Sequence, residues 1–440
     1  MIERNGNYFI IGIKGSGLSA LAAIMQNDGL KVSGSDIPGY VFTQDKLEEE
    51  GIKVYPFDSN NIKPGQIIIQ GNSFNDDHPE VKKAHALGLK IMHYHEFLGE
   101  YLKDYLSIGI SGAHGKTTTT GLLAHILNQK EKINYLIGDG SGQGNPNSKL
   151  FVFEADEYER HFITCYPDYL IITNIDFDHP DYFRDLEDVV DAFNTLAQQT
   201  RKLIVAFGDD ENTHRIQANC PIKYFGFEEN NQVQVVIIKT NPRSTVFQLI
   251  ENNQVLGTFE TSLPGHQYVI DTAATVLIAR EFGYSNELIQ QQISDFKGVK
   301  RRFNVSKVNQ VTIIDDYAHH PNEIAASIDS ARQMFPNDQL TVIFQPHTYT
   351  RTAKYLQDYG RVLSAADRVF VTDIFSSPRE KSGSVSNQDL VDLIGPKAEP
   401  ISFDNRSNLN EIKNGVLLFM GAGDIQKYEQ AYLKDNRSFD

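Results

Sequence analysis

Short apolar runs, each closed by a glycine-containing turn and followed by residues at helical spacing, recur along the chain. Tyr8–Ile11 ends at Gly12, and Leu106–Ile110 ends at Ser111 and Gly112. A third series begins at Val311–Ile314 and continues through Leu340–Phe344, Arg368–Val371 and Gly415–Met420. Strand, turn and helix in repeated alternation is the signature of parallel α/β units. Between the second and third series, Val233–Lys239, Thr245–Glu251 and Val255–Glu260 alternate apolar and polar residues around Asn-rich turns, the period of antiparallel strands. The pattern predicts three α/β layers with boundaries near residues 104 and 300.

Length agrees, since 440 residues exceed one ordinary hydrophobic core. The chain is 40% hydrophobic and 22% charged, the balance of a globular protein. Its formal net charge of -16 sets a repulsive field against nucleic acid, and the one dense basic cluster, Lys300, Arg301 and Arg302, is too short to reverse it. Nucleotides remain admissible ligands, because a phosphate site needs a few N–H groups and one or two cations. No window approaches the roughly 20 apolar residues of a membrane span. Two cysteines, Cys165 and Cys220, stand far apart without metal or redox spacing, and no apolar signal segment follows the start, so a cytoplasmic setting is expected.

Chemistry concentrates at the ends of the apolar runs. Gly112, Ala113, His114, Gly115, Lys116 and Thr117 follow one run and precede a helical pattern over Thr118–Leu127, so backbone N–H groups and a helix N-terminus would surround phosphate oxygens. Lys116 would supply the cation and Thr117 a hydroxyl ligand for Mg2+. The spacing departs from the common phosphate-loop pattern, because Ile110 stands where a first glycine is usual. Leu150–Phe153 ends in Glu154, Ala155, Asp156 and Glu157, and Leu170–Thr173 leads to Asn174, Asp176, Asp178 and His179. Polar residues at strand ends project over the edge of a parallel sheet, which makes Glu154 and His179 candidate metal ligands. Near the start, Gly12, Gly15, Ser16 and Gly17 open a helix with Asp36 about 20 residues on; taken alone, this loop fits a dinucleotide as well as a UDP-sugar. Arg302, at the second boundary, reads either as a solvated hinge charge or as a cation that reaches nucleotide phosphates.

Together these segments resemble the ATPase signature of the Mur ligases, and the resemblance extends over essentially all 440 residues through Gly12–Ala20, Asp316–Pro321 and Gln345–His347. It implies an N-terminal UDP-sugar-binding Rossmann-like domain (1–104), a central P-loop-type ATP-binding domain with a mainly parallel sheet (105–300) and a C-terminal amino-acid-binding Rossmann-like domain (301–440). It further implies ligation of L-alanine to UDP-N-acetylmuramate with release of ADP and phosphate, by a monomer or homodimer that needs ATP and Mg2+ but neither nucleic acid nor a membrane.

By position, the resemblance gives ATP contacts to Gly112, His114, Gly115, Lys116, Thr117, Thr118, Asn174 and His266, and metal contacts to Thr117, Glu154 and His179. The UDP-sugar would meet Gly15, Ser16, Gly17, Asp36 and Asn72. Tyr317, His319, His347 and Arg351 would surround the amino acid, with Arg351 suited to its carboxylate. Arg302 would help Lys116 neutralise phosphate during formation of an acyl phosphate, and His319 would accept the amine proton. Three positions depart from the family pattern: Gln267 and Asp271 stand where asparagines are usual near the adenine, and Thr348 stands where an arginine is common.

Overall fold

The computed structural model describes residues 2–41, 43–376 and 380–436. It divides into two compact units, one of Met1–Asp176, Leu186–Gln234 and Ala273–Gln292, the other of Phe177–Asp185, Val235–Thr272 and Ile293–Asp440.

The first unit carries two sheets. One is built from β1 (Asn7–Ile11), β2 (Lys31–Asp36), β3 (Lys53–Pro56), β4 (Gln66–Gln70) and β5 (Lys90–His93), in the order β3-β2-β1-β4-β5, all parallel. The helix Ser16–Asn27 buries Leu18, Leu21, Ile24 and Met25 along its length. It stops where Gly29, at φ +82, lets Leu30 N–H reach back to the Met25 carbonyl, closing the last turn.

The other sheet contains β6 (Leu106–Ser111), β7 (Asn134–Leu136), β8 (Gly142–Gln143), β9 (Leu150–Glu154), β10 (Tyr169–Ile172), β11 (Leu203–Phe207) and β12 (Ile222–Gly226). Their order is β12-β11-β10-β6-β9-β7-β8, and the β7–β8 pair is antiparallel. Strand β6 lies between β10 and β9, so the loops leaving these three strands converge at one sheet edge, where open α/β sheets hold their ligands. Within this unit the helix Tyr94–Leu102 packs closely on the segment Tyr158–Thr164. A Cβ on Gly99 would lie 2.3 Å from the Thr164 carbonyl oxygen, and Thr164 Oγ1 donates to the His95 carbonyl at 2.8 Å.

Strand β13 (Val233–Asn241) leads into the second unit, which continues with the antiparallel pair β14 (Ser244–Glu251) and β15 (Gln254–Glu260). Its sheet comprises β16 (Asn304–Val308), β17 (Val311–Asp316), β18 (Leu340–Phe344), β19 (Arg368–Thr372), β20 (Ala398–Ile401) and β21 (Gly415–Met420), ordered β16-β17-β21-β18-β19-β20 and parallel except at the β16 edge. Side chains alternate across it. Ile314, Val342, Phe344 and Leu418 contact Ile324 and Ile328 of the helix Pro321–Met334 on one face. Ile313, Ile343, Leu417 and Phe419 contact Tyr428 and Tyr432 on the other. Each such side chain contributes about 1.5–3 kcal/mol by leaving water, which explains why these strands are apolar throughout rather than on alternate positions.

Among the described residues no helix is long and apolar enough to cross a membrane. The close approach of Gly99 to the Thr164 carbonyl yields a direct test. Gly99→Val overfills that contact and should cost about 1–3 kcal/mol, seen as a lower thermal midpoint; an unchanged midpoint would show that the helix has room to move aside.

Candidate functional site

The loop after β6 is shaped by two glycines that no other residue could replace without strain. Gly112 holds φ +139, and a Cβ there would lie 2.0 Å from Thr173 Oγ1; Gly115 holds φ +85 as the cap of the helix Lys116–Leu127. The loop is pinned from β10. Thr173 Oγ1 donates to the His114 carbonyl at 2.5 Å, Asn174 Nδ2 donates to the same carbonyl at 3.0 Å, and Asn174 Oδ1 accepts from His114 N–H at 3.0 Å. His114 Nε2 lies 3.3 Å from Asp176 Oδ2. Thus His114 and Asn174 fix the loop's conformation, while Thr118 is buried in the first turn of the helix.

Lys116 Nζ donates to the Gly112 carbonyl at 2.6 Å and the Ala113 carbonyl at 3.2 Å, and pairs with Glu157 Oε2 at 2.8 Å. Burial alone would push the ammonium toward its neutral form, but Glu157, Asp156 and Glu154 outweigh it and hold its pKa above the usual lysine value. The cation is therefore permanent. Beside it, Thr117 Oγ1 lies 3.3 Å from Glu154 Oε1, whose other oxygen accepts from Gly138 N–H at 2.9 Å. A hydroxyl and a carboxylate oxygen side by side form a hard-oxygen pair of the kind Mg2+ takes when it keeps most of its waters.

In the same unit, Gly15, Ser16 and Gly17 open the first helix. A Cβ on Gly17 would lie 2.7 Å from Tyr94 Oη, so glycine there permits the approach of that ring. Asp36 accepts from Lys14 N–H and Ile37 N–H, both at 2.7 Å, and so braces the glycine loop with one lone pair of each oxygen. Asn72 Oδ1 accepts from His95 Nδ1 at 3.0 Å and its Nδ2 lies 3.1 Å from His161 Nε2; the two imidazoles stack at 4.4 Å. Burial and the neighbouring His161 lower the His95 pKa to about 4.

The second unit holds the other candidates. Arg351 is buried and donates to Asp178 Oδ1 from Nε at 3.1 Å and Nη2 at 2.7 Å, with His347 Nδ1 and His179 Nδ1 each 3.4 Å from its nitrogens. Despite burial, Arg351 holds the Asp178 carboxylate well below its ordinary range. Arg351 thus meets any incoming carboxylate with its charge already matched. His179 sits at φ +56. Next to this pair, His319 Nδ1 lies 3.1 Å from the Tyr317 carbonyl and 3.2 Å from Glu323 Oε2, an arrangement that places the proton on Nδ1 and leaves Nε2 as the acceptor. Burial lowers the His319 pKa to about 3, against the opposing pull of Glu323, and the His347 pKa to about 4. Arg302 lies 3.5 Å from Glu323 Oε1 and over the Tyr317 ring at 5.0 Å. His266 begins a helix in which Gln267 Nε2 donates to Asp271 Oδ1 at 2.9 Å, so the two residues that replace asparagines satisfy each other.

Within the first unit, then, Lys116, Thr117 and Glu154 come together; within the second, His179, His319, His347 and Arg351 do. Three partners were missed from sequence: Glu157 for Lys116, Asp178 for Arg351 and Glu323 for His319. Glu323 had a readable signal, since His320 and Glu323 have the cap-to-third-residue spacing of a capping box before the helix Pro321–Met334.

Three family models match successive segments of the chain. Residues 7–106 match the Mur ligase family catalytic domain, residues 110–279 the Mur ligase middle domain, and residues 301–423 the Mur ligase glutamate ligase domain. The chain is 49% identical to the UDP-N-acetylmuramate--L-alanine ligase of Pediococcus pentosaceus over 98% of this chain and 99% of that protein. It is 50% identical to the enzyme of the same name from Lacticaseibacillus paracasei, with 97% of each chain covered. Among solved structures, the UDP-N-acetylmuramate-alanine ligase MurC of Thermotoga maritima superposes with a TM-score of 0.82 at 26% identity, covering 98% of both chains. The MurF ligase of Thermotoga maritima, solved in complex with ADP, shares the fold at a TM-score of 0.59 and 17% identity over 92% of this chain and 94% of that one.

The depressed histidines predict a pH dependence. An imidazole titrates near 6.5 in the unfolded chain, so as pH falls from 6.5 toward 4 the unfolded state gains protons that buried His319 and His347 do not, and stability is lost across that window. The thermal midpoint should fall from pH 7 to pH 5, and less steeply in His319→Gln. Equal slopes would mean that His319 is not held neutral.

Proposed function

The chain belongs to the Mur ligase family, and from that premise we propose that it joins L-alanine to UDP-N-acetylmuramate at the expense of ATP, giving UDP-N-acetylmuramoyl-L-alanine, ADP and phosphate. The observation that carries this reading is the Lys116 ammonium held between the Gly112 and Ala113 carbonyls and Glu157, beside the oxygens of Thr117 and Glu154. A lysine fixed over a glycine loop at a helix N-terminus, with a hard-oxygen pair adjoining, suits a triphosphate and its metal. We assign residues 1–104 to the UDP-sugar, 105–300 to ATP and 301–440 to the amino acid, in a cytoplasmic protein acting as monomer or homodimer without nucleic acid or membrane.

A carboxylate cannot condense with an amine at neutral pH, because its leaving group would be oxide. Activation comes first. The muramoyl carboxylate attacks the γ-phosphorus of ATP, the bond to the bridging oxygen breaks, and an acyl phosphate and ADP result. Two anions meet in this step, and Lys116 with Arg302 lowers the repulsion. Mg2+, held by Thr117, Glu154 and His179, would add Lewis acidity at the phosphates when bound. Gly112, His114, Gly115, Thr118, Asn174 and His266 complete the nucleotide site, and Gly15, Ser16, Gly17, Asp36 and Asn72 the UDP-sugar site.

The neutral amine of alanine then attacks the acyl carbon and phosphate leaves. Tyr317, His347 and Arg351 orient the amino acid. His319 accepts a proton through Nε2 while Nδ1–H stays anchored on the Tyr317 carbonyl and Glu323. With its basicity lowered by burial, the transfer follows C–N bond formation, when the nitrogen's proton is most acidic.

Phosphate release should require both UDP-N-acetylmuramate and L-alanine, and a tripeptide in place of alanine should not support it. Lys116→Ala should lower that rate at least a hundredfold, about what one transition-state donor is worth, while UDP-N-acetylmuramate binding stays measurable by calorimetry. Turnover that survives the substitution, or that proceeds without alanine, contradicts the reading.

A further inference from the structure

The second unit contains a cleft of about 730 Å³ where the β13–β14 turn, the linker before β16 and the end of the helix Pro321–Met334 meet. Its floor is apolar and half-buried, formed by Leu263, Phe296, Met334 and Phe335 around buried Phe303. Its rim carries Arg243, Lys297 and Lys307, all exposed, and none of the residues lining it is acidic. Among the described residues, none of these three cations takes part in an ion pair. In a chain of net charge -16, where many lysines and arginines sit near an acid, three unneutralised cations around one apolar floor form a local reversal of the field.

The walls are fixed independently of any ligand. Gln333 Nε2 donates to the Asn241 carbonyl at 2.8 Å and its Oε1 accepts from Gly265 N–H at 3.1 Å, which ties the strand turn to the helix end. Asn304 Nδ2 donates to the Val299 carbonyl at 3.0 Å and its Oδ1 accepts from Arg301 N–H at 2.6 Å, which ties the linker to β16. Ser262, Ser306 and Thr312 add hydroxyls. Arg302 also lines the cleft, with its guanidinium engaged with Glu323 and Tyr317, and it alone among the lining residues belongs to the groups assigned to the reaction.

We propose that this cleft binds a small organic anion with an apolar body and two or more acidic groups. Apolar floor, hydroxyl sides and a cationic rim are the division of labour of a small-molecule site, in which burial supplies affinity and a few charged groups select the ligand. The occupant is thus an organic polyanion, not a neutral molecule or a metal ion.

The test uses the full-length protein with Mg2+, a non-hydrolysable ATP analogue and UDP-N-acetylmuramate at saturation, titrated with the fluorescent trianion 8-hydroxypyrene-1,3,6-trisulfonate as probe. Fluorescence should report one dye per chain, weakening as salt rises. Lys297→Glu with Lys307→Glu should raise the dye's Kd at least tenfold, and the neutral pair Lys297→Gln with Lys307→Gln about threefold. The neutral pair keeps the test decisive should charge reversal unsettle the fold. Unchanged affinity in the neutral pair, or no dye binding while the nucleotide ligands saturate their sites, overturns the proposal.

Discussion

Everything assigned to the first unit depends on keeping an ammonium charged in a place where burial opposes charge. Lys116 stays cationic because three carboxylates lie close to it and Glu157 touches it. A lone buried lysine would lose its proton, whereas one paired this tightly keeps it. The arrangement also exposes the cost of breaking it. An ion pair in a mostly buried position leaves an uncompensated charge when one member is removed, typically about 3–5 kcal/mol, so Glu157 is replaced at Lys116 only by something at least as anionic. A triphosphate meets that condition.

The second unit repeats the logic with the signs arranged differently. Arg351 and Asp178 neutralise each other beside His319 and His347, and those two histidines are kept neutral by burial and by the arginine. Neutral imidazole is the form that can accept a proton, and the anchor on Nδ1 leaves Nε2 as the nitrogen able to do so. Both units therefore solve the same problem, that of holding an ionisable group in one protonation state, by setting a close partner against burial.

Much of this could be read from the residues. Strands β9, β10, β17, β18, β19 and β21 carry apolar residues on both faces, and the hairpin strands alternate, so their types followed from periodicity. Strands β2, β3 and β5 could not be read this way, because sequences such as Lys31–Asp36 and Lys53–Pro56 are polar and owe their pairing to neighbours rather than to their own pattern. Lys116, Thr117 and Glu154 could be named because strand ends and a glycine loop dictate where they point. Glu157 and Asp178 could not be given partners, since which acid of a run turns toward a cation depends on the backbone after the strand, including the left-handed residues Glu159, Arg160 and His179. Asp36 holds the backbone N–H groups of Lys14 and Ile37, a bracing role that its spacing did not reveal.

Calorimetric titration with Mg2+ and a non-hydrolysable ATP analogue tests most directly whether Glu157 occupies Lys116 in the place of nucleotide phosphate. Lys116→Met should weaken binding at least a hundredfold, while Glu157→Gln, which frees the ammonium, should leave binding as tight as in the parent chain or tighter. Equal, strong losses in both variants would mean that the pair only supports the fold, and no loss in Lys116→Met would mean that the phosphates lie elsewhere.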